Sequence, residues 1–451
     1  MSNQKSRVCV IGAGPCGMST LFQFDQLGDS SPEVVCYEKQ DTWLGMWNFT
    51  WMTGTDEYGE PCHAGMYKNL WSNGPKDVVE FPDYTFDDHF KKPTPTYPPR
   101  IVIRNYMEGR LVHKSKLDLK RYIKWNTVVR QVRYHKETGN FTVTSEDLRS
   151  RHIFDETFTH VIVATGIFNV PNKPYFPGIE TFSGRILHAH DFRDAAEFKD
   201  HRILVIGGSY SAEDIALQSL KYGAKSIVIS YRSKPMNFKW PSGIEERPLV
   251  TKIHKNKIHF KDGTEAEVDS IVLCTGYKYQ FTFMDDDLRL YSNLSLYPEG
   301  LYKGSVWMKN GNDKLFYIGV QDQYYTFTMF DVQAMWICKY ISGMLPDEPK
   351  SREDMQQDLR KWVKRLESVK NCHDAIDFQT DFVRDLVEAT GYDPNTTKAD
   401  QLFHSWEHDK ADDIVTYRDK MYIFTGTEGT KNKKWFDNFD DTVDSFVNGS
   451  I

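Results

Sequence analysis

An apolar strand, a glycine-rich turn and a helix follow one another twice in this chain, and few folds accommodate that succession. Val8-Cys-Val-Ile11 is apolar and β-branched, the composition of a strand buried in a parallel sheet. Gly12-Ala-Gly14-Pro15-Cys16-Gly17 comes next, and a helical pattern opens at Met18. In that setting each glycine has a task. Gly12 turns the chain, Gly14 lets backbone approach a pyrophosphate, and Gly17 lets the helix pack closely on the strand. The helix N-terminus presents unpaired N–H groups to the anion. The next strand, Glu33 to Tyr37, runs into Glu38, whose carboxylate suits the hydroxyls of an adenosine ribose and repels a 2′-phosphate.

The second copy runs from the strand His201–Ile206 through Gly207-Gly208-Ser209-Tyr210-Ser211-Ala212 into a helical stretch, Glu213 to Gln218. Ser209 stands at the second glycine position and narrows the backbone approach; Ala212 at the third is tolerated by this fingerprint. The strand that follows, Ser226–Ser230, ends at Tyr231-Arg232-Ser233-Lys234. A guanidinium and an ammonium replace the carboxylate of the first copy. Arg232 can grip a 2′-phosphate with two parallel hydrogen bonds, flanked by Ser233 and Lys234, and this points to NADPH. A solvated surface arginine would give the same sequence.

After Glu38, Lys39 and Gln40 lead into Asp41-Thr-Trp-Leu44-Gly45-Met46-Trp47. Flavoproteins with two dinucleotide units carry such a loop along the flavin, so FAD is expected at the first copy. Two apolar strands, 159–166 and 269–277, both end in Thr-Gly and mark the passages between units. The expected fold is α/β with two Rossmann-like domains. Residues 1–168 and 280–451 form the FAD unit, 169–279 form an inserted NADPH unit, and the chain is helical from about 345. Lys314–Gly319 reads as the strand returning to the flavin, while Met355–Val369 and Phe378–Ala389 have amphipathic helical spacing.

With 451 residues, 40% hydrophobic and 26% charged, the chain has the make-up of a soluble globular protein of two or three domains. Its net charge of −7 argues against a nucleic-acid partner. No run approaches the roughly 20 apolar residues of a membrane helix. The start, Met1–Arg7, meets a strand without a signal peptide, and the tail, Asp444–Ile451, is short and polar. Seven cysteines without CxxC spacing suggest reduced thiols, a cytoplasmic protein and no metal site, and the CxxxxC of disulfide reductases is missing. Asp285-Asp-Asp287 and Asp440-Asp441 read as solvated loop faces.

Phe182-Ser-Gly184-Arg-Ile-Leu-His188-Ala-His-Asp-Phe192 fits FxGxxxHxxx(F/Y), between the two fingerprints and in their order. On these residues the chain resembles the flavin-containing monooxygenases. Leu70–Lys76, His188–Arg193, Ser209–Asp214, 310–323 and Thr328–Asp331 look like their bacterial members that act on trimethylamine. The resemblance spans nearly the whole chain, more loosely after about Gly343. It implies hydride transfer from NADPH to FAD, reaction with O2, and oxygen delivery from a C(4a)-hydroperoxyflavin to an amine or sulfide, with indoles within range and trimethylamine preferred. It also implies a homodimer.

By the same resemblance, Asn73 and Tyr210 border the oxygenation centre, and Tyr324 and Trp406 join them around the substrate. His63, Val128, Thr165 and Gln321 are added to the FAD site, and Trp71, Ser72, Ser209 and Ser211 to the NADPH site. Taken alone, Asn73-Gly74 is an ordinary turn and Trp406 an ordinary core residue. His188 is implied to be structural. Two departures stand out: Leu44 where the family usually has glycine, and Tyr324-Tyr325 where the trimethylamine enzymes usually have Trp-Tyr. Tryptophan holds a cation better than tyrosine, which loosens the substrate assignment. Baeyer–Villiger monooxygenases end the signature in Trp, so Phe192 favours N- or S-oxygenation. A Baeyer–Villiger enzyme, an NADPH oxidase and a nucleotide-binding sensor without turnover are the alternatives.

Overall fold

Strand register decides where ligands can sit in this molecule. The computed structural model describes residues 6–292, 294–309, 312–422 and 434–448; residues 1–5 and the last three of the polar tail lie outside the described residues. Strand Arg7–Ile11 runs parallel between Glu33–Tyr37 and His160–Val163, with Ile11 level with Tyr37 and Val163. Leu315–Tyr317 extends this sheet beyond His160–Val163, followed by the antiparallel pair Val306–Trp307 and Leu301–Tyr302; Ile123–Lys124 closes the other edge. The central strand's two neighbours arrive by different crossovers. A crevice therefore opens at the strands' carboxyl ends, the usual ligand position in such sheets.

The second sheet repeats the device. Its five strands are all parallel, in the order Ile244–Arg247, Ser226–Ser230, Arg202–Ile206, Ser270–Leu273, Arg185–His188. Ile206 is level with Ser230 and Leu273. Both strand–turn–helix units are thus Rossmann-like, and the first sheet takes its strands from both sides of the second in sequence. Two small antiparallel sheets, 127–158 and 250–267, flank the pair.

Close packing explains the glycines. A Cβ on Gly17 would overlap the Gly12 carbonyl oxygen, and Gly12 itself has φ +100°. The helix this permits, Pro15–Gln26, packs along helix Phe327–Ile341. Between them Gln23 donates to Asp331, which also takes both ends of the Arg110 guanidinium at 2.9 and 2.8 Å. Phe22 and Phe81 each lie 3.9 Å from that guanidinium, so the buried charge is paired and covered.

The carboxyl-terminal helices start earlier than apolar spacing predicts. They span Arg352–Leu366 and Cys372–Thr390, because Ser351 and Asn371 cap them by accepting the N–H groups of Asp354 and Asp374. A third, Thr396–Asp412, carries Trp406. Asp441 corrects the reading of a solvated face: its carboxylate accepts from the Asn69 amide and the Trp71 indole. Among the described residues no helix is long and apolar enough to cross a membrane.

Gly17→Ala is expected to abolish flavin retention, since the added methyl must displace the turn; absorbance of the purified protein checks it. Burial holds the imidazoles of His63, His160 and His188 near pKa 4, below the ordinary 6.5. The folded state keeps these rings neutral while the unfolded chain binds protons. Stability should therefore be full above about pH 6.5 and fall by a few kcal/mol, to order of magnitude, on acidification toward pH 4. Thermal midpoints across that window measure it.

Candidate active site

The first phosphate turn and the expected flavin loop are tied through their backbones. Gly12 N–H donates to Tyr37 O at 2.8 Å and Leu44 N–H to Ala13 O at 2.8 Å. A Cβ on Gly45 would sit 3.1 Å from Gly14 Cα, so the two loops touch at their glycines. Leu44 is buried with φ +71°, a left-handed conformation that costs a non-glycine residue about 1 kcal/mol or more. That explains why glycine is the easier residue at this position. Pro15 begins the helix, and Cys16 lies beneath Gly319 at the end of the returning strand.

Glu38 is buried, and both oxygens accept backbone donors: Ala13 N–H at 2.6 Å and Gln40 N–H at 2.8 Å. Burial raises its pKa. Each oxygen keeps a further lone pair, so the carboxylate fixes the turn and still has capacity for a ribose hydroxyl. Lys39 donates to Pro61 O at 2.7 Å, Met46 is half-buried, and Trp47 packs edge-on against Phe327 at 5.3 Å. His63 lies 3.8 Å from where a Gly166 Cβ would be, and burial, with Lys39 and His190 nearby, keeps it neutral. Thr165 follows strand His160–Val163, and Val128 pairs with Glu146 in a flanking sheet; both are half-buried. Gln321 follows the returning strand. Its side chain is fully buried and donates to Gly304 O at 2.6 Å, turned into the core.

The second turn is more open. Gly208, Ser209, Tyr210 and Ser211 are exposed at the start of helix Tyr210–Lys221, and the Ser209 side chain caps nothing, so amide donors face outward. Gly207 could not carry a Cβ without overlapping Cys274 O. Register gives Tyr231 the place in the second sheet that Glu38 holds in the first, and Arg232, Ser233 and Lys234 follow, all exposed. Among the described residues neither Arg232 nor Lys234 has a salt-bridge partner. Both cradles fit their dinucleotides: one closed by a carboxylate, the other by free cations.

Aromatic rings gather beside the second turn. Tyr210 stacks on Trp406 with centroids 6.4 Å apart, and Tyr324 meets Trp406 edge-on at 6.2 Å. Lys410 Nζ lies 4.4 Å from the Tyr210 ring centre and 5.3 Å from that of Trp406, held by Glu213 at 2.8 Å. One residue on, Asp214 takes Arg418 at 2.6 Å and the Tyr67 hydroxyl. Arg418 also donates Nε–H to Ser72 O at 3.0 Å. Next to Ser72, Asn73 is half-buried, and its carboxamide has no hydrogen-bond partner among the described residues. The Trp71 indole is buried, donating to Asp441 and packing against Phe446.

The structure therefore brings Tyr210, Tyr324 and Trp406 into one cluster and fixes the Asn73 loop to the same helix. The side chains of Trp71 and Gln321 hydrogen-bond within the protein. Sequence reasoning passed over Glu213, Asp214, Lys410 and Arg418. The one available signal was polar spacing, Asp214-Gln218-Lys221, within a buried helix; the partner Arg418 lies 204 positions from Asp214. His188 is structural, bonding Gly276 O at 3.0 Å and accepting His190 N–H at 3.1 Å.

The flavin-binding monooxygenase-like family matches residues 5–240 and 241–399. Trimethylamine monooxygenase of Methylocella silvestris is 49% identical over 450 residues, 98% of each chain. That of Pelagibacter ubique is 46% identical over 454 residues, 98% of this chain and 100% of the relative. The crystal structure of Tmm from Pelagibacter sp. strain HTCC7211 superimposes with a TM-score of 0.94 at 43% identity, covering 98% of this chain and 100% of the other. This chain belongs to the flavin-binding monooxygenase-like family and is an NADPH-dependent flavin monooxygenase that uses FAD.

Proposed function

We propose that the enzyme transfers one oxygen atom of O2 to the nitrogen of a small tertiary amine, with trimethylamine preferred and thioethers as further substrates. The observation that carries this reading is the aromatic cluster of Tyr210, Trp406 and Tyr324 beside the second phosphate turn. Aromatic faces hold an alkylammonium or its free base without hydrogen bonds that such a substrate cannot return. The names of the relatives above support the same choice.

In this reading the chain divides into an FAD unit, residues 1–168 and 280–451, and an NADPH unit, 169–279. The turn Gly12–Gly17, Glu38 and the loop Leu44–Trp47 hold FAD; the turn Gly207–Ala212 with Arg232 and Lys234 holds NADPH. Bound FAD, reduced by NADPH, supplies the activated oxygen. The substrate's own lone pair is the nucleophile, so the chain's residues position, shelter and donate hydrogen bonds. Asn73 has an unengaged carboxamide N–H to aim at the reacting oxygen. Tyr210 and Trp406 exclude water, which would otherwise divert reducing power into peroxide. His63 stays neutral beside Gly166 and adds no charge there. Seven free cysteines support a reducing, cytoplasmic setting.

Trimethylamine N-oxide formed in step with NADPH consumption tests the reading; NADPH loss that no tertiary amine or thioether accelerates would reject it. Arg232→Ala should raise KM for NADPH by about 10- to 100-fold while KM for NADH stays put, because only the 2′-phosphate loses a charge-assisted contact. Asn73→Ala should leave NADPH oxidation running but release hydrogen peroxide in place of most N-oxide, read as product formed per NADPH consumed.

A further inference from the structure

One half-buried carboxylate in the aromatic cluster has no cation to balance it. Glu407 lies one residue after Trp406, and its Oε1 accepts from the Tyr324 hydroxyl at 3.4 Å. Among the described residues it forms no salt bridge. The basic groups around it are engaged elsewhere. Lys410 is buried and paired with Glu213 at 2.8 Å, and His373 stacks on His404 with Nδ1 atoms 2.7 Å apart. Burial and Glu213 disfavour the charged form of Glu407, and Lys410 and His373 offset this only in part. A carboxylate that is desolvated and unpaired costs free energy, which an arriving cation would relieve.

We propose that Glu407 is the anionic wall of the substrate pocket and selects alkylammonium cations over neutral thioethers. The inference rests on the amine-oxygenase reading and assigns its specificity to a residue that touches the pocket through Tyr324. Small tertiary amines are cations near neutral pH, whereas a thioether carries no charge; the bound ammonium gives its proton up to solvent before its nitrogen lone pair reacts. Tyr324 stands where the resemblance leads one to expect tryptophan, and its hydroxyl makes the link that an indole would arrange differently. The rings of Tyr210, Trp406 and Tyr324 enclose the alkyl groups, and the carboxylate supplies the attraction that distinguishes an ammonium from a sulfur of similar size.

The test uses full-length holoenzyme with Glu407→Gln and Glu407→Asp. Glutamine keeps an acceptor for the Tyr324 hydroxyl, and unchanged flavin content and thermal midpoint establish folding. Two readouts are taken: the ratio of kcat/KM for trimethylamine to that for dimethyl sulfide, and binding of the unreactive cation tetramethylammonium, followed by calorimetry. Loss of one half-buried charge pair should lower the ratio and weaken tetramethylammonium binding about tenfold in Glu407→Gln, through KM rather than kcat. Glu407→Asp should recover part of both. An unchanged ratio, equal loss on amine and thioether, or undiminished tetramethylammonium binding overturns the proposal. Wild-type enzyme inactive on every amine would reject the amine reading itself, which the binding measurement addresses separately because it needs no turnover.

Discussion

Two buried ion pairs made by consecutive residues of helix Tyr210–Lys221 fix the geometry on which the site depends. Glu213 meets Lys410 and Asp214 meets Arg418, with every partner at most 8% exposed. Gln218 adds a bond to Asn69 O at 2.8 Å, and Lys221 one to Trp435 O at 2.8 Å. These contacts join the helix that begins at the second phosphate turn to the loop bearing Asn73 and to the carboxyl-terminal segment. Buried pairs of this kind add little net stability over apolar packing, because desolvation offsets their attraction. Breaking one, however, leaves a buried charge costing about 3–5 kcal/mol. Their effect is thus to permit one arrangement and penalise others. The proposed site, which draws on Tyr210 and Asn73 together, needs that kind of constraint more than it needs bulk stability.

Much of this was legible in the sequence, and the reason is locality. The two turns, the strands before them and the helices after them are set by neighbouring residues: apolar β-branched runs, glycines at fixed offsets, an acid or an arginine just past the second strand. Register turns those offsets into positions in space, which is why Glu38 and Tyr231 hold equivalent places in the two sheets. What was not legible depends on distant partners. Asp441 read as solvent-facing, yet it takes the Trp71 indole from 370 positions away. The same contact buries the Trp71 indole. Gln321 keeps its expected place along the chain while its amide turns toward Gly304, a choice made by tertiary packing alone. Helix starts were missed for a smaller reason: apolar periodicity begins several residues after the caps Ser351 and Asn371.

Leu44 shows a local rule broken inside a legible motif. A buried leucine in a left-handed conformation is unfavourable, and the resemblance pointed to glycine there. The flavin loop nevertheless keeps its hydrogen bond to Ala13 O and its contact with Gly14. Backbone ties and side-chain burial together hold the strained residue, as happens where surrounding structure over-determines a loop. The loop's path along the first phosphate turn is therefore imposed from outside, and the sequence of the loop alone understates how firmly it is placed.

The placement of Lys410 bears on how the pocket can treat a cation. Its ammonium stands 4.4 Å from the ring centre of Tyr210 and lies near Trp406 as well, so part of the cation-binding capacity of these rings is already taken by the protein. A second cation brought to the same ring faces would meet a like charge. Tyr210 stays 36% exposed on its remaining surface, which bounds the space shared with Tyr324. Recognition of a positive substrate must then come from that remaining surface, from the Tyr324 ring, or from an anion that Lys410 does not neutralise. Glu213 is excluded by its own pairing. Asp322 and Glu407 both lack an ion pair among the described residues, and of the two it is Glu407 whose carboxylate accepts the Tyr324 hydroxyl.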